Sequence, residues 1–102
     1  MTKSEFQELI GEIDLKEFAE DFNKIHTHHV ERILYYELEY KECVLLIYFT
    51  VYGRNTQSGF KLAELYVTHA NLWQGEENEI ELSIPKVTML QKQMSNRFKE
   101  LF

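Results

Sequence analysis

The sequence is poor in the residues that staple or punctuate a chain. One cysteine, Cys43, among 102 residues cannot close an internal disulfide, which excludes the disulfide-framed class of small secreted domains. One proline, Pro85, and four glycines leave no linker and no low-complexity tract, so residues 1–102 read as a single domain. The longest apolar run, CVLLIYF at 43–49, is far short of the ~20 residues that span a bilayer as a helix. No basic start followed by an apolar stretch opens the chain, so no signal peptide is expected. A lone thiol suits a reducing compartment. The expected location is the cytoplasm, away from the membrane.

Sequence signatures of catalysis are also missing. There is no HExxH, no paired CxxC, no GxGxxG and no GxxxxGK followed by Ser or Thr. Cys43 heads an apolar strand, where burial raises a thiol's pKa and quiets it. The acids Glu76, Glu77, Glu79 and Glu81 lack the regular oxygen spacing and central glycine of a calcium loop, and read as a solvated turn. The expectation is a protein that is not an enzyme and carries no cofactor.

What the chain does have is aromatic surface and acid. Seven Phe, six Tyr and one Trp exceed what a core of this length accommodates, so some rings are expected half-exposed or at an interface. The net charge is −6, and the last 17 residues set Lys86, Lys92, Arg97 and Lys99 against Glu100 alone. The excess acid therefore lies in the first 85 residues. An acidic body argues against nucleic acid, whose phosphates demand Lys and Arg, and suits a basic protein partner. The cations of the last helix lack interleaved rings for base stacking and read as a solvated face.

Periodicity divides the chain into seven elements. Thr2 with Glu5, and Asp14 with Glu17, repeat one capping-box pattern, stapled by Met1 with Phe6 and Ile13 with Phe18. The first helix is predicted over about 3–12, with Phe6, Leu9, Ile10 and Ile13 on its stripe. The second is predicted over about 15–26, with Leu15, Phe18, Phe22 and Ile25. From His28 the period becomes 2. Val30, Leu34, Tyr36, Leu38 and Tyr40 share one face, while Glu31, Glu37 and Glu39 take the other with Ile33 and Tyr35. A helical continuation to about residue 40 also fits the spacing, but tyrosine and β-branched residues favour a strand over 29–40.

CVLLIYFTVY at 43–52 is predicted as a central strand covered on both sides, entered by a hairpin turn in EYKE. GRNTQSG at 53–59 reads as a loop, 61–70 as a third strand, QGEENE at 74–79 as an acidic turn and 80–84 as a short fourth strand. Ser83 or Ile84 caps a last helix with Pro85 in its first turn, striped by Val87, Leu90, Met94, Phe98 and Leu101. The fold class is α+β: two N-terminal helices, a four-stranded antiparallel meander, and a C-terminal amphipathic helix packed on the sheet. If all three helices share one face, the doubly apolar strand leaves rings uncovered on the other.

Three of the four histidines crowd into KIHTHH. On a strand, His26 and His28 would point to one side, a spacing at which two imidazoles converge on a metal ion. His69, Glu31 or Cys43 would supply a third ligand, His69 from a neighbouring strand. The plainer account is a junction between helix and strand, with His26 favourable at a helix C-terminus. In GRNTQSG, one cation among hydroxyls and amides is explained by a hairpin loop.

The segments RILYYELEY, VLLIYFTVYG, LAELYVTH and LQKQMSNRFKELF, in that order, resemble a plan found in small uncharacterised proteins of phages and mobile elements. There a strand pair joins a third strand through a glycine-containing loop, and a C-terminal helix closes the unit. The resemblance covers residues 30–102 and implies no activity and no site. The expected function is that of a small acidic interaction protein. It would form a homodimer or bind a protein partner, a basic one by charge, as small acidic inhibitors and secretion chaperones do. The alternative is a metal-binding protein using His26, His28 and His69.

Overall fold

The computed structural model describes residues 2–75 and 78–102. Thr2 Oγ1 accepts from the Glu5 N–H at 3.1 Å and starts α1, Lys3–Gly11, whose Phe6, Leu9 and Ile10 are buried. Met1, the expected staple partner of Phe6, lies outside the described residues. Helix α2 is shorter than its stripe predicts, Lys16–Phe22 in place of 15–26. Asp14 Oδ1 accepts from Lys16 N–H at 3.0 Å, one residue short of Glu17, so it makes a turn while Leu15 stands at the N-cap. At the other end, the N–H groups of Lys24 and Ile25 reach back only three residues, to Asp21 and Phe22, a tightened last turn. Asn55 Nδ2 then takes the carbonyls of Ile25 and Thr27, at 2.6 and 2.9 Å. Acceptors held this way are lost to further helical turns, so His26 to His28 form a loop.

The strands are β1, His29–Tyr40, β2, Cys43–Thr56, β3, Gly59–Gln74, and β4, Glu79–Glu81, followed by α3, Ile84–Lys99. They form one antiparallel meander in the order β1-β2-β3-β4. Residues 29–40 are strand, paired residue for residue with β2 from His29↔Arg54 to Tyr40↔Cys43. The expected loop at 53–59 shrinks to a turn at Gln57 and Ser58, where Thr56 Oγ1 donates to the Gly59 carbonyl at 2.9 Å. Gly59, at φ +112°, supplies the left-handed backbone that a larger residue resists. The acidic turn at 74–79 falls partly outside the described residues, at Glu76 and Glu77. The fourth strand is three residues long, shifted to the N-terminal side of the predicted 80–84.

Two register shifts in β3 keep its apolar side chains facing inward. Tyr48 pairs with His69 but Phe49 with Val67, and Tyr52 pairs with Glu64 but Gly53 with Leu62. Thr68 and Ala63 are the extra residues, and each bulge reverses which parity faces the core. Ala70 and Leu72 are buried above the first bulge, Leu65 and Val67 between the two, and Phe60 below the second. Val67 N–H donates to Gln91 Oε1 on α3 at 3.1 Å, tying the first bulge to the helix.

All three helices lie on one face. Phe6, Leu9, Phe22, Leu90, Met94 and Phe98 join one core with Leu45, Ile47, Phe49 and Val51 of β2. Rings lock the layers: Phe18 meets Phe49 edge-on at 5.5 Å, and Phe22 meets Phe98 edge-on at 5.3 Å. Of the α3 stripe, Leu90, Met94 and Phe98 are buried and Val87 is half-buried, while Leu101 lies past the helix and is exposed. The expected coverage of β2 on both sides is therefore wrong: three short helices cover one sheet face and leave Tyr48 and Tyr52 of β2 exposed on the other. Among the described residues, no helix is long and apolar enough to cross a membrane.

Gly53 holds the far end of this packing. A Cβ there would stand 2.5 Å from the Lys61 carbonyl oxygen and run into the Phe60 ring. Gly53→Ala is expected to cost about 1–3 kcal/mol by overpacking, read as a lower urea midpoint; an unchanged midpoint would show that the strand end gives way freely.

Candidate functional site: the open face of the sheet

The face opposite the helices is built by the odd residues of β1 and the even residues of β2. Registers set them in rows: Glu39, Val44, Trp73 and Glu79; Glu37, Leu46, Asn71 and Glu81; Tyr35, Tyr48 and His69; Ile33, Thr50 and Tyr66; Glu31, Tyr52 and Glu64; and His29, Arg54 and Lys61. The middle is apolar and aromatic, with acids on both sides and cations at one end only. Ile33 is 78% exposed and Tyr48 42%, yet Thr50 between their strands' neighbours is only 7% exposed. Tyr35 and Tyr48 lie tilted against each other with centroids 4.9 Å apart, and Tyr52 meets Tyr66 edge-on at 6.1 Å. Paired rings restrict each other's rotamers.

Electrostatics follow from the same rows. Tyr66 Oη donates to Glu64 Oε2 at 2.6 Å, and that bond to the carboxylate pushes the phenol's pKa above its ordinary value. The charge of Glu31, directly across from Tyr52, pushes Tyr52 up. Tyr35 is raised by desolvation first and by Glu37 second. A carboxylate opposes a phenolate, so all three rings stay neutral hydrogen-bond donors beyond the ordinary range. Among the described residues the one ion pair is Lys41 with Glu8, at 4.0 Å and away from this face. Glu31, Glu37, Glu39, Glu64, Glu79 and Glu81 therefore have no cationic partner there.

The histidines are placed differently from the expectation. His26 and His28 precede β1, in the loop that Asn55 clamps, so the strand geometry that would align them is absent. Both line an open cleft of about 420 Å³ with Asn23, Asn55, Gln57 and Phe60. His69 is not brought to them. It pairs with Tyr48, whereas His28 bonds Asn55, seven positions further along β2, or roughly 23 Å at the usual strand rise. Glu31 and Cys43 stand on β1 and at the opposite end of β2. Among the described residues, no three His, Cys, Asp or Glu side chains are grouped to hold a metal.

The C-terminal cations are partly committed within the fold. Arg97 Nη2 donates to the Gly11 carbonyl at 3.2 Å, and Lys86 sits 5.7 Å from the Phe6 ring centroid. Asn55, which sequence reasoning placed in a plain loop, is the residue that shapes the histidine cleft. Its signal was slight: an asparagine in a polar run gives no hint of carbonyls 28 and 30 positions away.

Asn55→Ala removes both bonds to the loop and is expected to cost about 1–2 kcal/mol, with faster amide exchange confined to residues 24–28; protection unchanged there would mean the loop is held otherwise. Glu31→Gln is expected to bring Tyr52 ionisation to lower pH in an ultraviolet titration, because Glu31 is the largest cause of its shift. A Tyr52 curve that stays in place would assign the shift to desolvation. Set against known protein families, curated proteins and solved structures, the chain matches none of them.

Proposed function

We propose that this is a non-enzymatic interaction protein of the cytoplasm that holds a protein partner against the open face of its sheet. The observation that carries the reading is the exposed centre, Ile33 with Tyr35, Tyr48, Tyr52 and Tyr66, framed by carboxylates that no cation neutralises among the described residues. Tyrosines bring large apolar area at low entropic cost and keep a hydroxyl for hydrogen bonding, which is why they dominate recognition surfaces. The surrounding acid favours a basic partner. A second copy would bring the same six carboxylates against only Arg54 and Lys61. Such a role suits a small protein of a phage or mobile element, the group its strand order resembles.

A photoreactive residue in place of Tyr48, with Lys92 on α3 as the control position, tests this in extract of the source cells. Adducts are expected from position 48 and not from 92, disappearing when Tyr35→Ser and Tyr52→Ser are added and forming more slowly at higher salt. Equal labelling at both positions, or labelling at 92 alone, would move binding to the helical side and overturn the reading.

A further inference from the structure

The outer side of β1 is an unpaired strand edge, and its bonding phase follows from the register. Asn55 N–H donates to the His28 carbonyl at 2.9 Å, one step before the His29↔Arg54 pair. Directly opposite residues bond only in alternate antiparallel pairs. The even residues of β1 therefore bond to β2, and His29, Glu31, Ile33, Tyr35, Glu37 and Glu39 turn their N–H and C=O groups outward. Among the described residues, no backbone hydrogen bond reaches that side. Arg32 Nη1 donates to the Glu31 carbonyl at 2.9 Å and caps a single acceptor. The same odd residues put their side chains on the open face, so one incoming strand meets free backbone groups and the acidic face together.

We propose that the protein captures a basic, extended segment of its partner as a fifth, antiparallel strand along β1, with Lys or Arg opposite Glu31, Glu37 and Glu39 and apolar residues opposite Ile33 and Tyr35. This rests on the open face being the working surface and adds to it the partner's chemistry and the mode of docking. Strand addition takes affinity from main-chain bonds and specificity from alternate side chains. Opposite charges directly across an antiparallel pair stabilise it, and like charges destabilise it. Pairing β1 with a second copy in either register that uses the whole strand sets Glu31 against Glu37 or Glu39 of the copy. A segment with cations at those positions answers all three acids. The antiparallel reading of the pattern, from the position opposite Glu39 to that opposite Glu31, is basic-x-basic-x-apolar-x-apolar-x-basic.

The probe is a fluorescent peptide of that pattern, Lys-Thr-Lys-Thr-Val-Thr-Val-Thr-Lys, followed by anisotropy with the full chain at about 50 mM salt, where surface charges are weakly screened. In the proposed pairing the Lys and Val amides face β1 and the Thr amides face away. N-methylation of the Lys and Val residues is therefore expected to weaken binding by at least about tenfold, and N-methylation of the Thr residues to leave it unchanged. Glu31→Lys with Glu37→Lys, both on exposed side chains, is expected to abolish binding of the unmodified peptide. Methylated and unmodified peptides binding alike would overturn strand addition, while cross-linking from position 48 would still report on the face itself. Failure of every basic peptide to bind, or a dimer in sedimentation that the double Lys variant dissociates, would overturn the basic occupant.

Discussion

The inward row of β2, Leu45, Ile47, Phe49 and Val51, is wholly buried, with the helices laid over it and β1 and β3 paired on either side. Burying each such side chain is worth about 1.5–3 kcal/mol, so no arrangement that exposed the row would survive the entropy of ordering the chain. Helices α1, α2 and α3 are the only elements with apolar stripes to lay over it, and they total 32 residues. That is enough for one face of a sheet whose strands reach 14 and 16 residues. One-sided coverage follows from supply: the three helices lie over the inner face, and among the described residues no further helix is left for the outer one.

The outer face then has to be tolerated in water, and its composition shows how. Tyrosine in place of phenylalanine leaves an oxygen on each exposed ring, and the rings lean on one another across strands. The carboxylates beside them make most of the face acidic, with Arg54 and Lys61 at one end, and charge along a strand edge discourages edge-to-edge stacking. An exposed, flat, apolar β1 would be an aggregation hazard; Glu31, Glu37 and Glu39 remove it. The same charges leave the face able to accept something of the opposite sign.

Much of this was legible from periodicity, and the failures have physical causes. Thr2 caps α1 through its hydroxyl, and Ser83 and Pro85 stand at the start of α3 where expected, though the Ser83 side chain makes no cap bond. The switch of period near His28 separates helix from strand because a two-residue repeat cannot keep one helical face apolar. What failed depended on distant partners. The stripe of α2 runs past Phe22 into Ile25, but Ile25 is drawn inward by a chain whose carbonyl is held by Asn55 from across the sheet. The loop at 53–59 looked polar and glycine-bounded, yet Gly53 is needed inside β2 because Phe60 lies over it. The bulges in β3 did leave a trace. Apolar parity changes between Phe60 and Leu65, and again between Val67 and Ala70, which a single regular strand cannot satisfy. Reading that change would have extended β3 in both directions and placed Tyr66 and His69 on the open face.

Folding therefore keeps His69 apart from the other histidines and gathers tyrosines and glutamates onto one face. KIHTHH is conspicuous because its residues are rare and adjacent, but adjacency along the chain does not converge side chains on a point: His26 and His28 lie in the loop, His29 opens β1, and His69 sits far along the sheet beside Tyr48. The tyrosines and glutamates are inconspicuous because they are spread from residue 31 to residue 81. Antiparallel pairing collects them into rows whose members lie a strand spacing apart, about 4.8 Å, and the two bulges bring the third strand's contribution into phase. A surface of this kind is written as an alternation, repeated on several strands, of residues that would each be ordinary alone. The chemistry of this face therefore resides in the register more than in any motif.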